Sequence, residues 1–132
     1  MIRQHFPKTR HRNIIRPRFK DGFFKDDESH KIAIIKKIRK YRPRIVITNA
    51  LSDRHPDHPR SSQITIDACF LSGLSKIDTG QELYRPQAIY HYIQFNDLSP
   101  DFVVDITDYM DLKIKADSFT LFPPLCFIAT TS

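Results

Sequence analysis

Cysteine is too scarce here for a disulfide framework. Of 132 residues only Cys69 and Cys126 carry a thiol, and Cys69 sits in Ala68-Cys69-Phe70-Leu71, where a free thiol behaves as a small hydrophobe. No apolar run approaches the ~18 residues of a membrane span, and the start lacks the apolar stretch of a secretory signal. Residues 1–20 are Arg-rich but hold no Ser and one Thr, which argues against an organelle transit peptide. These absences point to a cytoplasmic protein with reduced cysteines and no membrane partner.

Acid is also missing where base is concentrated. Residues 1–20 contain Arg3, Lys8, Arg10, Arg12, Arg16, Arg18 and Lys20 with no Asp or Glu, so the net charge of +6 is a tail of +7 on a body of −1. Any footprint for phosphates is therefore confined to an N-terminal arm carrying Arg10, Arg12, Arg16 and Arg18. Only Phe6 and Phe19 accompany those charges, without the interleaved aromatics of a stacking surface. A disordered, solvated arm is the simpler reading, and nucleic acid is disfavoured as a partner. At this length, with 40% hydrophobic residues, one globular unit is expected.

Within the body, Asp26-Asp27 before Glu28 offers an N-cap, and Ile34, Ile35, Ile38 and Tyr41 follow at helical spacing with basic residues towards the end. The pattern predicts a helix over 28–41, stopped by Pro43. Ile45-Val46-Ile47-Thr48 is a continuous β-branched run, the pattern of a parallel strand covered on both faces. Pro59 suits a first helical position, and Ile64, Ala68, Cys69 and Leu71 mark a buried stripe ending near Gly73. Strands are expected at 88–94 and 102–105, with Thr107 capping a helix over 108–116. The result is an α/β fold.

The densest chemistry lies in His55-Pro56-Asp57-His58, just past the first strand. Open α/β sheets gather ligands at the carboxyl ends of their strands, and Asn49, Asp53, Arg54, His55, Asp57 and His58 all fall in that zone. His58 could give one ring nitrogen to a metal while a neighbouring acceptor holds the other. His55, as a protonated imidazole, could stabilise an oxyanion or protonate a leaving amine. Asp57 could orient an imidazole. The bland alternatives are a surface loop histidine and a helix cap, and four residues alone do not choose between them.

A wider set of blocks does. Arg42-Pro43-Arg44-Ile45-Val46-Ile47, Asn49-Ala50 and Asp53-Arg54-His55-Pro56-Asp57-His58 resemble the second conserved block of the LmbE/PIG-L family of zinc-dependent N-deacetylases. Asp21-Gly22-Phe23-Phe24, the 67–74 segment, Tyr84-Arg85-Pro86, Tyr90-His91-Tyr92-Ile93-Gln94 and the 100–106 segment resemble its bacillithiol-biosynthesis branch. The resemblance covers about residues 21–115. It implies a Rossmann-like three-layer sandwich, incomplete here, with a partial, mostly parallel sheet and flanking helices. It further implies Zn2+ bound by His58, with His55 and Asp57 catalytic, and an N-acetylglucosaminide such as N-acetylglucosaminyl malate as the amino-sugar substrate.

The family's Ala-His-Pro-Asp-Asp type loop, which supplies its other zinc ligands and general base, has no counterpart in residues 1–54. The expected organisation is thus a basic arm over 1–20, a partial deacetylase domain over 21–116 and an atypical apolar tail over 117–132, as in a truncated or frame-shifted reading. A non-catalytic remnant or interaction fragment, possible as a homo-oligomer, is the alternative expectation.

Overall fold

The computed structural model describes residues 22–118 and 128–131. The basic arm at 1–20 lies outside the described residues, as does most of the expected tail.

Helix α1 (Glu28–Tyr41) begins where the sequence predicts. Asp27 is its N-cap and accepts the His30 backbone N–H at 2.9 Å, while Arg39 and Lys40 lie in the last turn. The helix ends because Pro43 follows: Arg42 turns left-handed at φ 48° and its N–H closes on the Ile38 carbonyl at 2.8 Å.

Strand β1 (Ile45–Asn49) leads through the loop to α2 (Asp57–Leu71), and β2 (Ala88–Ile93) returns parallel to β1, with Ile45 opposite Ala88 and Asn49 opposite Tyr92. Strand β3 (Phe102–Val103), a 3-10 turn at Thr107–Tyr109, α3 (Met110–Ser118) and β4 (Ile128–Thr131) complete the described elements. The sheet order is β1-β2-β4-β3, with β4 antiparallel to both neighbours. This is an incomplete α/β, Rossmann-like architecture: a small sheet with a parallel pair, flanked by helices.

The core joins the two helices. Ile34, Ile35 and Ile38 of α1 bury against Ile64, Ala68 and Cys69 of α2, and Val46 and Ile89 bring the sheet to them. Each fully buried isoleucine contributes about 1.5–3 kcal/mol. A polar clamp adds to this contact. Arg39, itself buried, donates from Nε to the Ser72 carbonyl (3.0 Å), from Nη1 to the Ile77 carbonyl (2.7 Å) and Thr79 Oγ1 (2.8 Å), and from Nη2 to the Leu74 carbonyl (2.9 Å).

Three local expectations need correction. The β1 run is not covered on both faces: Val46 packs on the core and Thr48 is buried, but Ile45 and Ile47 are 49% and 64% exposed. Helices α1 and α2 pack on the face bearing Val46 and Ile89, and β1 is an edge strand among the described residues. Helix α2 starts at Asp57, two residues before Pro59, because the His55 carbonyl and ring already receive the His58 and Asp57 backbone N–H groups at 3.1 and 3.2 Å. Thr107 is not a cap. Asp105 instead accepts its N–H (2.9 Å) and hydroxyl (2.6 Å) in an Asx turn, and the 3-10 turn precedes α3.

Candidate functional site

The end of β1, the loop at 50–56 and the first turn of α2 form one polar site. Asn49, the last residue of β1, donates from Nδ2 to Gln94 Oε1 at 2.9 Å, just beyond β2, and its Oδ1 receives the Ser61 hydroxyl at 3.0 Å. One residue on, Ser62 Oγ lies 2.9 Å from Nδ1 of the fully buried His91, which also sits 2.8 Å from the Asn49 carbonyl. A carbonyl can only accept, so His91 carries its proton on Nδ1. Its Nε2 has no hydrogen-bond partner among the described residues. This network fixes the start of α2, and hence the histidine loop, to the carboxyl ends of both parallel strands.

The structure brings His55 and His58 together, with ring centroids 5.0 Å apart. His58 also stacks on Phe95 at 6.2 Å and 14°, and the Arg54 guanidinium covers Phe95 at 4.6 Å. Because the Asp57 N–H donates to His55 Nδ1, that nitrogen bears the lone pair and His55 donates from Nε2. A ring in this state stabilises negative charge on oxygen as a neutral hydrogen-bond donor.

Asp57 is buried at the first position of α2. Its carboxylate accepts the backbone N–H groups of Gly22 and Phe24 and meets Arg60 Nη1 at 3.4 Å. It thereby pins the stretch of chain entering α1 to the start of α2, and touches His55 through its backbone rather than its carboxylate.

Asp53, two residues before His55, is central. Its Oδ1 accepts the His55 backbone N–H at 3.1 Å, and its Oδ2 lies 3.2 Å from His58 Nδ1. Burial raises the Tyr92 hydroxyl pKa above its ordinary value, and the Asp53 carboxylate pushes it further in the same direction. The sequence signal was Asp-x-His-x-x-His, in which the first residue reaches both histidines.

A recess of about 220 Å³ lined by residues including Lys31, Ile35, Leu71 and Ile77 shares no residue with this loop. The chemistry lies at the loop, where the polar groups converge. No three His, Cys, Asp or Glu side chains converge on a single point among the described residues. A catalytic zinc takes about three protein ligands, so the described residues do not by themselves hold one. No described helix is long and apolar enough to cross a membrane.

The Rossmann-like α/β fold is deacetylase-like. The N,N'-diacetylchitobiose deacetylase from Pyrococcus horikoshii shares it at 27% identity and a TM-score of 0.63, over 80% of this chain and 42% of that one. The conserved protein TT1542 from Thermus thermophilus is similar at 23% identity and a TM-score of 0.73, over 86% and 62% of the two chains. GalB, the 4-carboxy-2-hydroxymuconate hydratase from Pseudomonas putida, matches at 14% identity and a TM-score of 0.60, over 80% and 58%. The chain spans less than two thirds of each of these structures. No family model matches it. A hydratase on the same fold means that the reaction has to be argued from the site.

Proposed function

We propose that this chain is part of an LmbE/PIG-L-type N-deacetylase domain, in which His58 is a zinc ligand and an acetamide is hydrolysed. The observation that carries the reading is the His55-Pro56-Asp57-His58 loop, held at the carboxyl end of a parallel strand pair in a fold shared with a diacetylchitobiose deacetylase. His55 donates from Nε2 towards the developing oxyanion or the departing amine. Asp57 holds the loop's geometry through the backbone at 22–24. The substrate class is an N-acetylglucosaminide, and N-acetylglucosaminyl malate of bacillithiol biosynthesis is the candidate from the sequence resemblance.

His58 is one ligand, so the chain alone should hold zinc weakly and turn over slowly. The test is equilibrium zinc titration, without dialysis, of the wild type and His58→Ala, with acetate release from N-acetylglucosaminyl malate at excess zinc. Zinc bound by the wild type and not by the variant, with metal-dependent acetate release, supports the reading. Equal absence of zinc and acetate in both proteins favours a second reading: a non-catalytic interaction fragment, to which the exposed Ile45 and Ile47 face also points.

A further inference from the structure

Besides His91 Nε2, two buried polar atoms in the site have no hydrogen-bond partner among the described residues: Asp53 Oδ2 and His58 Nδ1. They face each other at 3.2 Å, within ion-pair distance but misaligned for a hydrogen bond. Leaving such atoms unpaired costs about 1–3 kcal/mol each, so a small rotation of the imidazole that aligns Nδ1–H on Oδ2 is favoured. The Asp53 side chain is fully buried and its other oxygen is fixed by the His55 N–H, so the carboxylate is the rigid member of the pair. The His58 side chain is 24% exposed, and since Nδ1 is buried that exposure belongs to the rest of the side chain.

We propose that Asp53 is a positioning residue for His58, holding the proton on Nδ1 so that the lone pair is kept on Nε2, the ring's other nitrogen. Flanking by His55 and Phe95 restricts the ring from flipping to exchange the two nitrogens. A histidine whose rear N–H is held by a carboxylate has its tautomer fixed and its basicity raised, and loss of such a partner costs about 10–100-fold in metal affinity. The use of Nε2 for a metal rests on the deacetylase reading above; the tautomer itself does not.

The experiment is long-range 1H–15N NMR of protein labelled with 15N in its histidine rings, at a pH above the ordinary imidazole range. The His58 resonance is assigned by its loss in His58→Gln. The wild type should show the Nδ1–H tautomer at His58, and Asp53→Asn, which keeps an acceptor for the His55 N–H, should shift it towards Nε2–H. A wild-type Nε2–H tautomer, or an unchanged one in Asp53→Asn, overturns the proposal. If Asp53→Asn does not fold, the wild-type spectrum alone decides.

Zinc affinity, measured in parallel with a competing chromophoric chelator, should fall about 10–100-fold in Asp53→Asn. A tautomer shift without zinc binding in either protein upholds Asp53 and overturns the metal reading. Zinc binding with a tautomer indifferent to residue 53 does the reverse.

Discussion

Replacing Arg39 by Met tests whether the polar clamp, rather than the isoleucine contact alone, joins α1 to the 72–79 segment. Methionine keeps an apolar stem in the buried site and removes four donated hydrogen bonds. The acceptors are not wholly stranded: the Ser72 carbonyl still receives the Tyr84 N–H and the Leu74 carbonyl the Ile77 N–H. The bonds to the Ile77 carbonyl and Thr79 are only partly buried, so water can replace them. Each lost bond is therefore worth about 1 kcal/mol, the value of an ordinary hydrogen bond rather than the ~1.5–3 kcal/mol of one made by a charged group. Set against about 1 kcal/mol regained by burying the thioether, the expected loss is about 3 kcal/mol. Urea unfolding at constant m-value is the assay. Arg42→Gln, which breaks the exposed pair with Glu82 and the guanidinium's contact with the Tyr84 ring, is the control and should cost at most about 1–2 kcal/mol. A loss below about 1 kcal/mol for Arg39→Met would show that the clamp forms without contributing to stability.

Burial pushes the Cys69 thiol up to about 12, so at pH 8 only about one molecule in ten thousand carries the thiolate. Iodoacetamide should leave the Cys69 peptide unmodified in native buffer and label it in urea; rapid native labelling, read by mass spectrometry, contradicts the packing. His91→Leu removes the Nδ1–H donated to the Asn49 carbonyl and strands Ser62 in a fully buried site. It should cost about 2–3 kcal/mol and be less than additive with Ser62→Ala; simple additivity in thermal unfolding would separate the two residues. Asp27, at the α1 cap, is held well below the ordinary carboxyl range by the His30 ring, the His30 N–H and the Ser29 hydroxyl. A depressed folded-state pKa favours folding above the unfolded value of 3.8 and loses that contribution as pH falls through the folded one. The stability gap between wild type and Asp27→Ala should thus persist down to the ordinary carboxyl range and close in stronger acid. A gap unchanged in strong acid argues against the carboxylate as its source.

Local physics was legible in the sequence and long-range physics was not. Helix α1 was readable at both ends because its determinants, Asp27, the isoleucine spacing and Pro43, are neighbours in the chain. The parallel setting of β1 followed from its β-branched run, yet that run could not reveal that one face stays open, since coverage depends on elements far away. The start of α2 is not legible from local signals because His55 acts as a backbone and ring acceptor there, a job usually given to Ser, Thr, Asp or Asn. The loop at 55–58 was found by composition, but Asp53 acquired a role only when the loop folded its carboxylate against His58. Arg39 looked like one more charge in a basic helix end. Its partners lie 33 to 40 residues away.

The parallel pairing of β1 with β2 also sets a schedule for synthesis. Strand β1 ends at Asn49, whereas its partner begins at Ala88 and ends at Ile93. At ribosomal speeds of about 5–20 residues per second, Ile45-Val46-Ile47 leaves the exit tunnel roughly 2–9 s before its partner is complete. Until then it has no partner among the described strands, and it is a short β-branched segment of the kind that templates intermolecular strands. Yield in cells should accordingly respond to slowed translation of codons 50–93, or to a holding chaperone, more than to changes in the finished core.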